Sequence, residues 1–232
     1  MNKKILMVEL EKKINYHFKS PVLLKTALTH PSYLNEHPQS NDSYQRLEFL
    51  GDAILEYLAS ICLFMDFPQI REGRLTEIRS ALVRTENLAN IAKKLNLGNF
   101  LYLSKGEESN YGRENENILA DTVEALLAAI YLDSSVSQAR QFFENFIKPE
   151  LDIIVKEKLY LDAKTQLQEF LQAKYKKTPE YKPVEKISAQ SEPGFVIGVY
   201  MNNRLLAKGF GRNKRLAEQM AAKNALGKIS SL

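Results

Sequence analysis

The sequence has 232 residues, of which 44% are hydrophobic and 26% charged, with a formal net charge of +4. This balance is typical of a soluble globular protein. The apolar run near the start, residues 5–8, is too short for a signal peptide or a membrane span, so we expect no membrane partner. A single cysteine, Cys62, cannot form an internal disulfide, which favours a core role for it and a cytoplasmic location.

Charge is distributed unevenly along the chain. Residues 1–161 carry 19 basic and 22 acidic side chains, a net charge of −3, whereas residues 162–232 carry 13 and 6, a net charge of +7. A nearly neutral larger part followed by a small basic part predicts two modules, the second of which binds a polyanion. A basic surface without a ligand is the alternative that charge alone leaves open.

Apolar residues recur at helical spacing through the first 155 residues. The segments with this spacing are 21–30, 54–64, 74–95, 117–132 and 135–155. Proline, glycine and polar stretches separate them, as at residues 37–43, 66–73 and 104–117. The pattern predicts an all-α domain over residues 1–156.

The pattern changes after residue 161. Residues 165–175 are predicted to form a helix, followed by three alternating strands at 180–188, 195–202 and 204–211, with a hairpin turn at Asn202 and Asn203. An alanine-rich helix with Asn213 as its N-cap ends the chain. The prediction is a small α+β domain over residues 162–232, with the order α-β-β-β-α and both helices on one face of the sheet.

Two carboxylates, Glu48 and Asp52, lie four residues apart in SYQRLEFLGDAIL (43–55). On a helix they stack one turn apart, beside an apolar stripe. Gly51 costs about 1 kcal/mol in a helix interior relative to alanine, which indicates a close approach by a neighbouring element. For this helix taken alone, a solvated polar flank is the simpler explanation.

A second pair, Asp121 and Glu124, lies three residues apart in the otherwise apolar segment 118–132. Burial of an unpaired carboxylate costs several kcal/mol, so the pair needs a basic partner, protonation or a divalent cation. Two carboxylate pairs match the oxygen ligands that Mg²⁺ and Mn²⁺ prefer. The histidines, at positions 17, 30 and 37, do not cluster with either pair in the sequence, which argues against zinc.

These segments resemble a known family. RLEFLGDAIL (46–55) closely resembles the ribonuclease III signature, and ILADTVEAL (118–126) resembles the second acidic motif of that family. LTHPSY (28–33), EGRLTEIRSALV (72–83) and SKGEE (104–108) match its other landmarks in the same order. The basic tail resembles a double-stranded-RNA-binding domain, most clearly in GFGRNKRLAEQMAAKNAL (209–226).

The resemblance implies a metal-dependent endoribonuclease that cuts double-stranded RNA, such as ribosomal and other precursor RNAs. Its products would carry 5′-phosphate and 3′-hydroxyl ends with short 3′ overhangs. The cofactor would be Mg²⁺, with Mn²⁺ as a substitute. Its ligands would be Glu48, Asp52, Asp121 and Glu124, of which Asp52 and Glu124 would be catalytic. One alternative is a non-catalytic RNA-binding or ribosome-associated protein. Another is a hydrolase of small phosphates, a function that would leave the basic tail unexplained.

Three further positions are interpreted through the resemblance. Glu72, which we place in a loop after Arg71, matches an accessory acidic position of the family, and a solvated charge is its alternative. Phe49 matches an aromatic residue that packs into the partner of a homodimer, and a place in the core is the alternative. Gln45 stands where the family usually has a glutamate, so one negative charge is missing.

The RNA contacts expected in the tail come from three places. Double-stranded RNA is recognised by its shape, through phosphates and 2′-hydroxyl groups. Basic residues at the start of the last helix oppose the helix dipole unless a phosphate binds there. The candidates are Thr165, Gln168, Glu169 and Gln172 on the first helix, Ser191 in the loop after the first strand, and Arg212, Lys214 and Arg215, with Lys223 next, at the last helix.

Overall fold

A computed structural model describes residues 3–39, 42–187 and 194–230. The chain folds into two compact units, Met1–Tyr160 and Leu161–Leu232. The first unit is helical, whereas the second contains a helix, three strands and a further helix, so the predicted fold class is confirmed. Within the described ranges, none of the helices combines the length and the apolar character needed to cross a bilayer.

The helices of the first unit vary widely in length. A 3₁₀ turn at Leu97–Phe100 follows the sixth of them, and a π-helical turn at Phe143–Ile147 joins the last two. In chain order the α-helices are α1 (Lys3–Ile14), α2 (Pro21–Ala27), α3 (Pro31–Glu36), α4 (Gln45–Asp66), α5 (Glu72–Val83), α6 (Thr85–Leu95), α7 (Lys105–Ser109), α8 (Glu116–Asp133), α9 (Val136–Phe142) and α10 (Lys148–Lys156).

The centre of this unit is the packed pair α4 and α8. A methyl group at Gly51 of α4 would collide with the backbone carbonyl group of Glu124 in α8. Only glycine therefore allows this approach, and the close contact predicted from the sequence is confirmed. Because Asp52 follows Gly51 directly, the crossing brings carboxylates of both helices to one place.

Helix α8 runs through the core of the unit. Between Ile118 and Ile130, only Asp121 and Glu124 are not fully buried. Their spacing of three residues puts both side chains on one side of the helix. The half-buried side of α8 therefore carries two acidic side chains.

The far end of α8 is anchored to the loop between α1 and α2. The Asp133 carboxylate accepts hydrogen bonds from the Tyr16 hydroxyl group at 2.7 Å and from the backbone N–H groups of Lys19 at 2.9 Å and Ser20 at 2.8 Å. These bonds fix the start of α2 against the end of α8.

The second unit consists of α11 (Ala163–Tyr175), β1 (Glu180–Ile187), β2 (Gly194–Met201), β3 (Arg204–Gly211) and α12 (Lys214–Ser230). The strands form an antiparallel sheet in the order β1-β2-β3. Asn202 and Asn203 both have positive φ angles, of 49° and 63°, as the predicted hairpin turn requires.

One apolar core joins both helices of the second unit to the sheet. Leu167 and Leu171 of α11 pack with Val199 and Ala207 of the strands and with alanines of α12. The side chain of Asn213 accepts a hydrogen bond from the backbone N–H of Leu216 at 2.9 Å, so its predicted N-cap role is confirmed. The alanines of α12 that pack in this unit are Ala217, Ala221, Ala222 and Ala225, each fully buried.

Candidate functional site

Four carboxylates, which we call the carboxylate cluster, lie where α4 and α8 cross. Its members are Glu48 and Asp52 of α4 and Asp121 and Glu124 of α8. Burial and the negative charges of the other three members raise the pKa of Glu124 to about 8. Burial also raises the pKa of Glu48, with the charges of Asp121 and Asp52 as further causes. The structure therefore brings the two predicted pairs together.

The cluster has the chemistry of a site for a hard divalent cation. Among the described residues, those that act on the charge of Glu124 are all carboxylates, so the neighbours supply repulsion without a compensating positive charge. Carboxylate oxygens are the ligands that Mg²⁺ and Mn²⁺ prefer. Within the described ranges, no three His, Cys, Asp or Glu side chains are already gathered as ligands of a metal ion. The residue types fit such a cation, and it would offset their repulsion.

Two aromatic side chains that the sequence analysis missed lie beside the cluster. The Tyr44 hydroxyl group donates a hydrogen bond to Oδ2 of Asp121 at 3.3 Å. The His30 ring lies edge-on to the Tyr44 ring, with 5.7 Å between centroids. Burial raises the pKa of Asp121, whereas Tyr44 and His30 oppose this effect. His30 is thus closer to the acidic residues than the sequence indicated, and its place in LTHPSY was the available signal.

Two of the remaining candidates in the first unit are exposed at helix starts. Glu72 is the first residue of α5, so its assignment to a loop was wrong. Its carboxylate accepts a hydrogen bond from the Thr76 hydroxyl group at 3.2 Å. Gln45 is the first residue of α4. The accessory role of Glu72 and the effect of Gln45 stay predictions.

An apolar cleft lies beside the start of α4. It has a volume of about 1000 Å³, and Val22, Leu23, Leu50 and Leu132 contribute to its wall. Phe49 also lines it and is 82% exposed, so the alternative that Phe49 belongs to the core of a single chain is wrong. An exposed phenylalanine next to an apolar cleft is typical of an interaction surface.

The second unit presents polar and basic groups at the starts of its helices. The Asp162 side chain accepts a hydrogen bond from the backbone N–H of Thr165 at 2.8 Å, which fixes the first turn of α11. Gln168 and Gln172 are exposed on that helix, whereas Thr165 and Glu169 are half-buried. The exposed basic candidates are Arg212, Lys214, Arg215 and Lys223. Ser191 lies outside the described residues.

Comparisons with known proteins agree with this architecture. A family model described as Ribonuclease-III-like matches residues 20–151, and a model described as a double-stranded RNA binding motif matches residues 163–229. Ribonuclease 3 of Enterococcus faecalis is 42% identical over 225 residues, which are 97% of this chain and 97% of that protein. Ribonuclease 3 of Dehalococcoides mccartyi is 41% identical over 221 residues, which are 95% of this chain and 93% of that protein.

A solved structure shows the same likeness for the first unit. The nuclease domain of ribonuclease III from Campylobacter jejuni is 39% identical, with a TM-score of 0.57 over 61% of this chain and 95% of that chain. That structure is described as flexible in a region involved in dimer formation. With both family models matched and relatives above 40% identity over nearly the whole length, the chain belongs to the ribonuclease III family.

Proposed function

We propose that this protein is an endoribonuclease that hydrolyses phosphodiester bonds in double-stranded RNA with the aid of Mg²⁺. The observation that carries the proposal is the carboxylate cluster, where burial, together with the charges of the other three members, raises the pKa of Glu124 to about 8. Family membership and the double-stranded RNA binding motif support double-stranded RNA as the substrate. A protein that only binds RNA would have no use for such a cluster, so the non-catalytic alternative is not favoured.

The members of the carboxylate cluster would together hold the cation. Members of this family generally depend on a divalent metal, and we infer that Mg²⁺ is the natural ion and that Mn²⁺ substitutes for it. A bound cation supplies an activated water and offsets charge on the phosphorus and on the leaving 3′ oxygen. Asp52 and Glu124, on opposite helices, are the residues to which we assign catalysis. The products would carry 5′-phosphate and 3′-hydroxyl ends.

The second unit would hold the RNA duplex through two kinds of contact. Uncharged and polar groups of α11 suit the 2′-hydroxyl groups of a minor groove. Lys214 and Arg215 lie at the positive end of the α12 dipole, where a phosphate is bound favourably. The strongest support is the match of residues 163–229 to the double-stranded RNA binding motif.

A homodimer would complete the enzyme. Phe49, 82% exposed beside the apolar cleft, is the residue we assign to the dimer interface. Two copies would place two carboxylate clusters across the duplex, one for each strand, and leave short 3′ overhangs. We propose that the dimer works in the cytoplasm on ribosomal and other precursor RNAs, and the free, buried Cys62 is compatible with a reducing compartment.

The test is cleavage of a long RNA duplex with and without Mg²⁺. We expect wild type to cut only with the metal, and Glu124→Gln to lose at least about 100-fold in rate, because ligand loss impairs a metal-dependent step. Glu116→Gln is the matched control, since it makes the same change at an exposed residue of the same helix. Intact RNA after incubation of wild type with Mg²⁺ would exclude the enzymatic function. Rapid cleavage by Glu124→Gln would exclude the carboxylate cluster as the catalytic site.

A further inference from the structure

Tyr44 directly precedes α4, and its backbone is held in place on both sides. Its backbone N–H donates to the carbonyl oxygen of Thr29 at 2.9 Å, and its carbonyl oxygen accepts from the N–H of Glu48 at 2.8 Å. Thr29 itself forms a β-bridge with Tyr102. The residue is 2% exposed, so its ring has little freedom to move.

The Tyr44 side chain reaches from the start of α4 to the side of α8. Its ring is held edge-on by His30, and its hydroxyl group donates to Oδ2 of Asp121. The His30 ring is fixed in turn, because its Nδ1 accepts from the N–H of Ser32 at 3.1 Å. A buried hydroxyl group needs a partner, and a carboxylate is a strong acceptor. The bond therefore links Asp121 of α8 to the start of α4, the helix that carries Glu48 and Asp52.

This tie acts against the repulsion within the cluster. Carboxylates that lie near one another without a cation repel one another, and a hydrogen bond helps a side chain to keep its rotamer. We propose that Tyr44 is a positioning residue that holds the Asp121 carboxylate ready for the divalent cation. The inference rests on the proposed function, in which the carboxylate cluster is the metal site.

The chain offers a matched control in Tyr16. Its hydroxyl group donates to Asp133, which lies on the same helix α8 as Asp121. Asp133 is twelve residues further along the chain, about 18 Å along the helix. Tyr44→Phe and Tyr16→Phe therefore each remove one hydroxyl group that bonds an aspartate of α8, and only the first lies at the cluster.

The experiment is a titration of the metal-free protein with Mn²⁺, without RNA, followed by the electron paramagnetic resonance signal of free Mn²⁺. We expect Tyr44→Phe to raise the Mn²⁺ dissociation constant about tenfold, the range seen when groups that orient metal ligands are removed. We expect Tyr16→Phe to keep the dissociation constant within about twofold, although its melting temperature should fall by a few degrees. In cleavage assays, Tyr44→Phe should need correspondingly more metal for half-maximal rate, with an unchanged KM for RNA.

Glu124→Gln in the same titration separates two kinds of failure. If Glu124→Gln weakens Mn²⁺ binding and Tyr44→Phe does not, the positioning role of Tyr44 is overturned and the metal site stands. If Glu124→Gln binds Mn²⁺ as wild type does, the metal site itself is wrong and the positioning role fails with it. Equal weakening by Tyr44→Phe and Tyr16→Phe would also overturn the proposal, because the effect would then be general to α8.

Discussion

Two carboxylates of α8, Glu124 and Asp133, show how neighbours set the charge of a single residue. Burial opposes the charged form of both. Asp133 accepts hydrogen bonds from Lys19, Tyr16 and Ser20, which bring its pKa below the usual value. Glu124 faces other carboxylates instead, and its pKa rises to about 8. The first residue therefore stabilises the fold, whereas the second is suited to a cation.

The lowered pKa of Asp133 predicts a pH-dependent contribution to stability. A carboxyl group with a folded pKa below its unfolded value stabilises the protein above the unfolded pKa, and this contribution is lost as the pH falls through the folded pKa. We expect Asp133→Asn to lower the free energy of unfolding at pH 7 by about 1–2 kcal/mol. The difference from wild type should shrink below about pH 4.

Urea unfolding of both proteins at several pH values checks this prediction. Asp152→Asn is the control, since it removes an aspartate charge at an exposed position of the same unit. A difference between wild type and Asp133→Asn that stays constant from pH 7 to pH 3.5 would contradict the assigned role.

The site depends on the contact between two elements, α4 and α8. This contact joins two helices that each carry half of the carboxylate cluster, and its closest point is Gly51 against the backbone of Glu124. A backbone group cannot turn aside as a flexible side chain can. The distance between the two helices therefore sets the distance between the carboxylates that they carry.

We expect Gly51→Ala to lower the free energy of unfolding by at least about 2 kcal/mol, because the added methyl group overlaps a backbone carbonyl. Cleavage should fall as well, since the helices must move apart. Chemical denaturation and the cleavage rate are the measurements. Gly73→Ala is the control, because its methyl group would meet no atom within 4 Å. A Gly51→Ala protein as stable as Gly73→Ala would show that the helices can separate freely.

Sequence periodicity predicted both helices of this contact, because amphipathic or apolar spacing depends on local residues alone. It missed the start of α5 at Glu72, where the residue before the helix, Arg71, makes no side-chain capping bond. The capping residue that usually marks a helix start in a sequence is absent there. Tyr44 was missed for another reason, since its hydroxyl partner lies 77 residues away. The spacing of the carboxylates along the sequence predicted two pairs. The packing of α4 on α8 at Gly51, which depends on the fold, brings the two pairs together.

At the scale of the whole molecule, the positive charge concentrated in residues 162–232 is assigned to RNA binding. Each phosphate contact made by a basic residue releases counterions, so it makes the affinity depend on salt. Lys214 and Arg215 are exposed at the start of α12. Lys208 offers a comparison: its neighbour Gly209 packs on α12, so Lys208 points to the other face of the sheet.

We expect Lys214→Ala and Arg215→Ala each to weaken binding of an RNA duplex and to reduce the slope of log affinity against log salt by about 1. Fluorescence anisotropy in the presence of EDTA, which prevents cleavage, measures both quantities. Lys208→Ala removes the same charge from the opposite face and should leave the slope close to that of wild type. Identical slopes for all three variants would argue against phosphate contacts at α12.

The proposed dimer gives a second prediction for the whole molecule. Burial of a phenylalanine side chain contributes about 1.5–3 kcal/mol, and a symmetric interface buries it twice. We expect Phe49→Ser to weaken self-association at least about tenfold, as measured by sedimentation equilibrium. Tyr111→Ser is the control, because Tyr111 is also an aromatic residue with high exposure, 75%. An unchanged dissociation constant for Phe49→Ser would exclude this residue from the interface.

The environment of Cys62 has a practical consequence for spectroscopy. Burial raises the pKa of its thiol group to about 11, and it is the single cysteine of the chain. Because thiolates react with maleimides far faster than thiols, Cys62 should stay almost unlabelled at neutral pH. A cysteine introduced at an exposed position, such as Lys208, would then carry a dye selectively in the native background. Two cysteines introduced at exposed positions would in the same way carry the two dyes of an energy-transfer pair, without prior removal of Cys62.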